Sequence, residues 1–203
     1  MPAIGITGGV ATGKSAFCEC LREILPSANF FNADQAAHAL VEFPEVKQEI
    51  REKFGNGLFS SDGALNRAEL RAIIFGDATR KRALERILHP RIRRKWRAEA
   101  KKHRNSPDFF FADIPLLYET GGETLCDRVV VVACSCNVQI GRLMKRMSIK
   151  SSEAEQMANS QMPLEEKIRR GHHVAWNNGD RATLADQAQF LVAAWQEQSW
   201  TKK

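Results

Sequence analysis

The sequence predicts an α/β protein in which helices flank a sheet of parallel strands. Five short apolar stretches have the composition of strands, and stretches with helical periodicity separate them along the chain. Strands that alternate with helices in this way pair in parallel through right-handed crossovers. With 203 residues, 43% of them hydrophobic, the chain is long enough to bury a core and short enough to form one domain.

The predicted strands are short and rich in β-branched or aromatic residues, as strands tend to be. The fourth contains four consecutive valines at 129–132 and is apolar enough for burial on both faces. The strands are predicted at residues 3–7, 29–32, 109–113, 128–134 and 172–176.

Capping residues and prolines predict the helix boundaries. Asp77 is expected to cap a helix that starts at Ala78, which Pro90 is expected to break or kink after His89. Ser152 and Glu155 have the spacing of a capping box.

Residues 35–107 contain predicted helices only, which indicates a helical insertion beside the sheet. The helices are predicted at residues 14–25, 35–42, 44–54, 66–75, 78–89, 90–103, 137–147, 152–161, 163–170 and 180–200.

Composition narrows the function classes without selecting one. The formal net charge of +6 suits an anionic partner such as a nucleotide, a phosphorylated metabolite or a nucleic acid. No apolar run is long enough for a membrane helix, and the first residues do not have the pattern of a secretory signal. Five cysteines without an export signal predict reduced thiols in the cytoplasm. The basic helix at 90–104 lacks interleaved exposed aromatic residues, which favours a solvated face over nucleic-acid binding.

A glycine-rich segment follows the first predicted strand and precedes a helix. Its residues Gly8, Gly13, Lys14 and Ser15 match the phosphate-binding motif G-x-x-x-x-G-K-[ST] at every fixed position. Glycines let backbone amides approach a phosphate, and the helix N terminus adds a favourable dipole. Lysine supplies a charge for the β- and γ-phosphates, and serine offers a hydroxyl to Mg²⁺. The motif therefore predicts a nucleoside triphosphate site in a P-loop NTPase fold.

Two aspartates and two arginines outside this loop are candidate functional residues. Asp34 follows the end of the second strand and Asp113 ends the third, where parallel sheets bind ligands, although either could instead cap the next segment. Arg142 and Arg146 share one helix face, which suits phosphate binding and equally suits a solvated basic surface. Residues 133–137 do not match the base-recognition motif of switch GTPases. Small size and the helical insertion favour a small-molecule kinase.

Several further segments match, in order, the sequence pattern of the dephospho-coenzyme A kinase family, which this chain resembles. They are Ala33-Asp34-x-x-Ala37-His38, Asp62-Gly63-x-Leu65-x-Arg67, Ile87-x-His89-Pro90, Pro115-Leu116-Leu117-Tyr118-Glu119, Gln139-x-x-Arg142-x-x-x-Arg146, Gln161 and Asn177-Asn178-Gly179. The resemblance implies a five-stranded parallel sheet of order 2-3-1-4-5. It also implies one P-loop kinase domain with its core at about 1–34, 108–136 and 171–203. An acceptor-binding helical region would span about 35–107, and a lid about 137–170.

The resemblance implies transfer of the γ-phosphoryl group of ATP, with Mg²⁺, to the ribose 3′-hydroxyl of dephospho-coenzyme A. The implied catalytic residues are Asp34, Lys14 and Arg142, and the implied metal ligands are Ser15 and Asp34. The implied ATP-binding residues are Gly9, Val10, Ala11, Thr12, Gly13, Lys14, Ser15, Ala16, Arg142, Arg146, Asn178 and Gly179. The implied acceptor-binding residues are Asp34, His38, Arg67, His89, Pro115, Leu116, Leu117 and Glu119. A cytoplasmic monomer or weak homo-oligomer without nucleic-acid or membrane partners is expected.

The chain departs from the family pattern in four places. These are Asn32 before the catalytic position, Ala11-Thr12 in the glycine-rich loop, Met147 after Arg146, and Gly171-His172 before the fifth strand. The departures bear on the Mg²⁺ shell, lid closure and nucleotide preference. Two alternatives are a P-loop kinase acting on another nucleoside or nucleotide, and a nucleic-acid-stimulated NTPase that uses the basic helix.

Overall fold

The computed structural model describes residues 2–197 and contains one sheet of five parallel strands. The strand order is β2-β3-β1-β4-β5, which confirms the predicted order. The strands are β1 Ala3–Gly8, β2 Asn29–Asn32, β3 Phe110–Asp113, β4 Arg128–Ala133 and β5 His173–Trp176. Each boundary lies within one residue of the predicted one.

The central strands are buried almost throughout. β1 lies between β3 and β4, with Ile6 opposite both Asp113 and Val130. Every residue of β3 is buried, as are the last five residues of β4. Helices cover both faces of such a sheet, so its strands have continuous apolar sequences instead of alternating ones. Because these strands are continuous apolar runs, their composition was enough to predict where they lie in the sequence.

Nine helices are described between residues 2 and 197, together with two short 3₁₀ turns at Asn56–Leu58 and Gly122–Leu125. The helices are α1 Lys14–Ile24, α2 Ala33–Leu40, α3 Pro44–Phe54, α4 Arg67–Gly76, α5 Ala78–His103, α6 Cys136–Met147, α7 Ser151–Asn159, α8 Leu164–Arg170 and α9 Arg181–Glu197. The predicted end of the last helix at Trp200 lies outside the described residues.

Pro90 does not break the helix that begins at Ala78, so the predicted helix boundary between residues 89 and 90 is wrong. α5 runs without interruption through the proline. An interior proline removes one backbone hydrogen bond and crowds the preceding turn. Buried side chains on both sides of it, among them Leu88 and Trp96, give each half of the helix its own packing. That packing maintains the helix across the defect.

Side chains just before several helices cap their N termini, and two of these caps bear on the predicted boundaries. The predicted cap Asp77 accepts hydrogen bonds from the amides of Thr79 and Arg80 at 2.7 and 3.1 Å. α2 begins two residues before its predicted start because Asn32 caps it, accepting from the Gln35 amide at 2.8 Å. Asp34 therefore lies inside the first turn of α2 and is not its cap.

The capping box predicted at Ser152 and Glu155 is wrong. α7 begins one residue earlier, and Lys150 occupies its N-cap position. The Glu153 carboxylate accepts a hydrogen bond from the Lys150 amide at 3.0 Å. The glutamate half of a capping box is therefore present two residues before the predicted position.

The chain divides into two compact units, each with its own apolar core. One falls within Met1–Phe31 and Glu99–Lys203, and the other is Asn32–Ala98. In the first unit, α1 and α9 pack on the sheet, and Phe17, Phe111 and Trp195 are among the fully buried side chains. The second unit packs α2 to α5 around a separate cluster of aliphatic residues.

All five cysteines lie within the described residues and are free thiols. Cys18, Cys20 and Cys134 are buried, Cys126 is partly buried, and Cys136 is exposed. Burial raises the pKa of Cys18 and of Cys126 to about 12. Among residues 2–197, no helix combines the length and the apolar character needed to cross a bilayer.

Candidate active site

Two glycines of the phosphate loop, residues 8–15, are required by close contacts. A Cβ on Gly8 would lie 2.3 Å from the Val132 carbonyl oxygen in the neighbouring strand. Gly13 has φ +98°, and a Cβ there would lie 1.9 Å from Asn177 Nδ2. Other residues rarely adopt such a φ. The loop therefore turns from β1 into α1 through positions that larger residues cannot occupy without displacing neighbours.

Thr12 closes the turn of the loop from inside. It is fully buried, and its hydroxyl donates to the Gly9 carbonyl oxygen at 2.9 Å. Ala11, beside it, has φ +59°, a left-handed conformation that is uncommon outside glycine. These residues are the Ala-Thr departure noted in the sequence, and the threonine hydroxyl supplies a hydrogen bond within the loop.

Two glutamine side chains hold Val10, in the middle of the loop. Gln139 of α6 donates from Nε2 to the Val10 carbonyl oxygen at 2.8 Å. Gln161, between α7 and α8, accepts from the Val10 amide at 3.0 Å. The apolar cluster between α6 and α7 also packs against Val10 and Ala11. Sequence reasoning gave these glutamines no role, although both lie in the segments that carry the resemblance.

The C-terminal half of the loop is held by Asn177 and Arg142. Asn177, which is buried after β5, donates to the Thr12 carbonyl oxygen at 2.9 Å. Arg142 reaches the same oxygen at 3.4 Å and Asn177 Oδ1 at 3.5 Å. Arg146, one turn further along α6, is exposed. The structure thus brings one arginine of the predicted pair to the loop.

Asn178 and Gly179 lie in the turn after Asn177. Asn178 Oδ1 accepts from the Ser135 amide at 2.7 Å, which connects this turn to the start of α6. Gly179 is exposed. Asn177 contacts the phosphate loop directly, and sequence reasoning had assigned it no role. Its signal in the sequence was its place in the matching segment Asn177-Asn178-Gly179, beside two predicted site residues.

The first turn of α1 presents Lys14, Ser15 and Ala16. No side chain caps this helix, and its first turn contains no acidic residue. The first amides of a helix have no partner within it, and the helix dipole favours an anion beside them. Ser15 is exposed. This end of α1 has the chemistry of a phosphate site.

Asp113 places a buried carboxylate at the end of β3, opposite Ile6 of β1. Its charge also acts on α1, where the pKa of the Cys18 thiol is raised first by burial and second by Asp113. Proteins with this loop often hold a carboxylate of this kind near the metal.

The segment after β3 contains the four apolar and acidic candidates at 115–119. The Pro115 carbonyl oxygen accepts from the Thr7 hydroxyl at 3.1 Å. Leu117 is fully buried and Leu116 is partly buried. Glu119 forms an ion pair with Lys167 of α8 at 2.8 Å.

The sequence did not indicate a role for Lys167, because a lysine among charged neighbours predicts an exposed helix face.

In the unit Asn32–Ala98, an ion pair holds Arg67 near α2. Its guanidinium contacts Glu42 at 2.5 Å and the His38 carbonyl oxygen at 3.4 Å. Hydrogen bonds from Arg67 and then Lys47 hold the pKa of the Glu42 carboxyl below its usual value. Asp34 and His38 are exposed on α2. The structure therefore links two of the acceptor-side candidates, Arg67 and His38.

His89 lies on α5 in the same unit and is partly buried. Burial is the main cause that lowers its pKa, with Lys81 acting in the same direction and Glu85 opposing it. It lines a surface depression of the helix together with Arg82, Glu85, Arg86 and Pro90. The imidazole is therefore held in its neutral form near neutral pH.

A family profile described as dephospho-CoA kinase matches residues 2–183 of the chain. The chain belongs to the dephospho-CoA kinase family. This match spans the phosphate loop, the segment at 115–119 and the asparagines after β5. It confirms the family that the sequence motifs indicated.

Relatives of this dephospho-CoA kinase family member match almost its whole length. Curated dephospho-CoA kinases from Anaeromyxobacter dehalogenans and Geobacillus kaustophilus are 41% and 36% identical over 195 residues. The alignments cover 95% of this chain and 92% and 96% of those relatives. A crystal structure from Thermus thermophilus is similar with a TM-score of 0.78 and 29% identity, covering 96% of this chain and 97% of that one.

Proposed function

We propose that this chain transfers the γ-phosphoryl group of ATP to the ribose 3′-hydroxyl of dephospho-coenzyme A, giving coenzyme A and ADP. The observation that carries the proposal is the family match over residues 2–183, which contains a phosphate loop at the end of β1. We also propose one P-loop kinase domain whose helical region at about 35–107 binds the acceptor. The lid would comprise about 137–170.

The loop would bind the triphosphate through its backbone amides and the first turn of α1. Transfer spreads negative charge over the γ-phosphoryl oxygens, so catalysis depends on positioning and on fixed positive groups. Lys14 and Arg142 would supply that charge. Support for Arg142 is its contact with the Thr12 carbonyl oxygen, which places its guanidinium at the loop. Arg146, Asn178 and Gly179 remain proposed nucleotide contacts.

Asp34 would orient the acceptor hydroxyl and take its proton. The support is that Asn32 caps α2, which leaves the exposed Asp34 carboxylate outside the capping interaction. His38, Arg67, His89 and the segment 115–119 would bind the acceptor. For Arg67, the support is the ion pair that fixes its guanidinium.

Mg²⁺ is the metal that this chemistry implies, with Ser15 and Asp34 as the proposed ligands. Among residues 2–197, no cluster of three or more acidic, histidine or cysteine side chains could hold a metal. The hydroxyl of Ser15 and the carboxylate of Asp34 fit Mg²⁺, because this ion keeps several waters and takes one or two carboxylates beside the phosphates. When bound, Mg²⁺ would neutralise charge on the β- and γ-phosphates. Asp113 is a further candidate that could act through water.

Closure of the proposed lid would exclude water, which could otherwise accept the phosphoryl group. We further propose that the chain works in the cytoplasm as a monomer or weak homo-oligomer, without nucleic-acid or membrane partners. The five free thiols support a reducing compartment.

A coupled assay of ADP release tests the proposed function. Purified protein with ATP and Mg²⁺ is expected to release ADP and form coenzyme A when dephospho-coenzyme A is supplied. Nucleoside monophosphates should not replace the acceptor. Turnover with a nucleoside monophosphate but not with dephospho-coenzyme A would assign another acceptor. Hydrolysis that polynucleotides stimulate without any small acceptor would indicate the NTPase alternative.

A further inference from the structure

The ammonium group of Lys167 is fully buried. Its side chain has 0% exposure, although α8 is short and mostly charged. Taking an ammonium group out of water is costly unless nearby groups accept its hydrogen bonds and balance its charge. The position of this lysine therefore depends on the groups around its Nζ atom.

Three oxygen atoms surround Lys167 Nζ. They are Glu119 Oε1 at 2.8 Å, the Pro115 carbonyl oxygen at 2.9 Å and the Gly8 carbonyl oxygen at 3.4 Å. A lysine ammonium has three N–H groups, so one acceptor is available for each. The carboxylate balances the charge, and the two carbonyls accept the remaining bonds.

These acceptors belong to two parts of the candidate active site. Gly8 is the first residue of the phosphate loop, and as the last residue of β1 it pairs with Val132 of β4. Pro115 and Glu119 belong to the segment after β3. Lys167 therefore connects the start of the phosphate loop to that segment through one buried charge.

Neighbouring hydrogen bonds strengthen this connection. The Thr7 hydroxyl donates to the same Pro115 carbonyl at 3.1 Å. The Met162 amide donates to the same Glu119 oxygen at 3.0 Å. The residues just before α8 and the strand that leads into the loop are thus tied to the same two acceptors.

We propose that Lys167 is a positioning residue of the phosphoryl transfer reaction. It fixes the start of the phosphate loop against residues 115–119, and so sets the spacing between the bound triphosphate and the acceptor pocket. The inference rests on the proposed function, which gives 115–119 their acceptor role. Lys167 acts through Gly8, Pro115 and Glu119 and touches neither substrate.

Loss of such spacing affects rate more than binding. A misplacement of about 1 Å between reacting groups can lower a rate by about 100-fold. Each substrate would still meet its own binding residues. A purely structural lysine would instead change the melting temperature and leave the turnover of folded protein unchanged.

Lys167→Met removes the charge and keeps most of the side-chain volume. Arg181→Met is the matched control, because it removes the cation of an exposed ion pair outside the proposed lid, and the Arg181 side chain is 50% exposed. Turnover, the acceptor KM and the ATP Kd are measured well below each melting temperature. We expect Lys167→Met to lower kcat at least about 30-fold, with KM and Kd changing less than about threefold. Lys167→Arg, which keeps the charge, should recover part of the lost kcat.

A folded Lys167→Met protein with the kcat of the wild type would overturn the inference, as would a change confined to KM or Kd. If that variant does not fold, Lys167→Met/Glu119→Gln removes both members of the ion pair. Its kcat is then compared with that of Glu119→Gln alone, and equal values would also overturn the inference. Wild-type protein that does not phosphorylate dephospho-coenzyme A would refute the proposed function instead.

Discussion

At Gly13, the space that a side chain would need is already filled by the amide group of Asn177. Gly13 has φ +98°, and the Asn177 amide lies where its Cβ would be. That amide also donates to the Thr12 carbonyl. The motif shows that glycine is required at this position, but only the fold shows which side chain excludes a larger residue.

Gly13→Ala should therefore weaken nucleotide binding by at least about tenfold. The alanine Cβ must displace Asn177, and the left-handed backbone adds about 1–2 kcal/mol of strain. Titration calorimetry with ATP measures the loss. Gly57→Ala is the control, since a Cβ at Gly57 meets nothing within 4 Å. Equal ATP affinity in the two variants would show that Asn177 yields without consequence.

Asp34→Asn tests the proposed base without changing side-chain size. Asn32, not Asp34, caps α2, so the helix keeps its cap in the variant. Turnover should fall at least about 100-fold while ATP affinity stays near that of the wild type. Steady-state kinetics and ATP titration measure both. Turnover close to the wild-type value would remove Asp34 from the mechanism.

The residues that the sequence could not identify act through tertiary contacts. Gln139, Gln161 and Lys167 hold the phosphate loop from positions more than 120 residues away. A lysine with two glutamates before it and two arginines after it predicts solvent exposure. Its burial depends on oxygen atoms from distant segments, which periodicity and composition do not show. The loop itself was predictable because all its fixed residues are adjacent in sequence.

At the level of elements, strands were easier to predict than helix starts. A strand buried on both faces shows as a continuous apolar run, as in β3 and β4. Helix starts depend on which of several polar residues accepts an amide hydrogen bond. Asn32 is the N-cap of α2, where Asp34 was a candidate cap. Lys150 is the N-cap of α7, where Ser152 was predicted. At Pro90, the buried side chains in both halves of α5 keep the helix continuous, although an interior proline by itself predicts a break.

Gly141 in the middle of α6 allows a stability test of this element. It is exposed, and a Cβ there would meet nothing within 4 Å. Gly141→Ala should raise the free energy of unfolding by about 0.5–1 kcal/mol, because alanine has the higher helix propensity. Gly63→Ala should lower it, since Gly63 has φ +80°. Urea denaturation measures both, and a destabilising Gly141→Ala would contradict the expectation.

For the molecule as a whole, the predicted order of the strands came from the family resemblance. Alternating strands and helices predict a parallel sheet but do not order it. The resemblance implied one order, which the structure confirms. Residues 32–98 form a compact unit of their own because they pack around a second apolar core. Composition alone does not show which apolar residues belong to which core.

Stability should decrease as the pH falls from about 7.5 to 5.5. His172 accepts from the Val129 amide at 3.1 Å, and His173 accepts from the Trp195 indole at 3.3 Å. Both bonds need neutral imidazoles, and burial lowers the pKa of each below its usual value. Below about pH 6.5 the unfolded chain therefore binds more protons than the native one, which favours unfolding.

Urea denaturation at both pH values measures this loss. The double substitution His172→Asn/His173→Asn should reduce the difference between them, since asparagine does not titrate in this range. His89, whose pKa is also lowered by burial, should account for part of the remainder. Stability that is independent of pH in the wild type would contradict the expectation.

The distribution of the thiols gives this protein a natural attachment point for a probe. Four of the five cysteines are shielded to some degree, and burial raises the pKa of each of the four. Cys136 stands exposed at the first position of α6, the helix that carries Arg142. A maleimide dye should therefore label Cys136 ahead of the others under native conditions. Its fluorescence would then show whether α6 moves during turnover, without any change to the sequence.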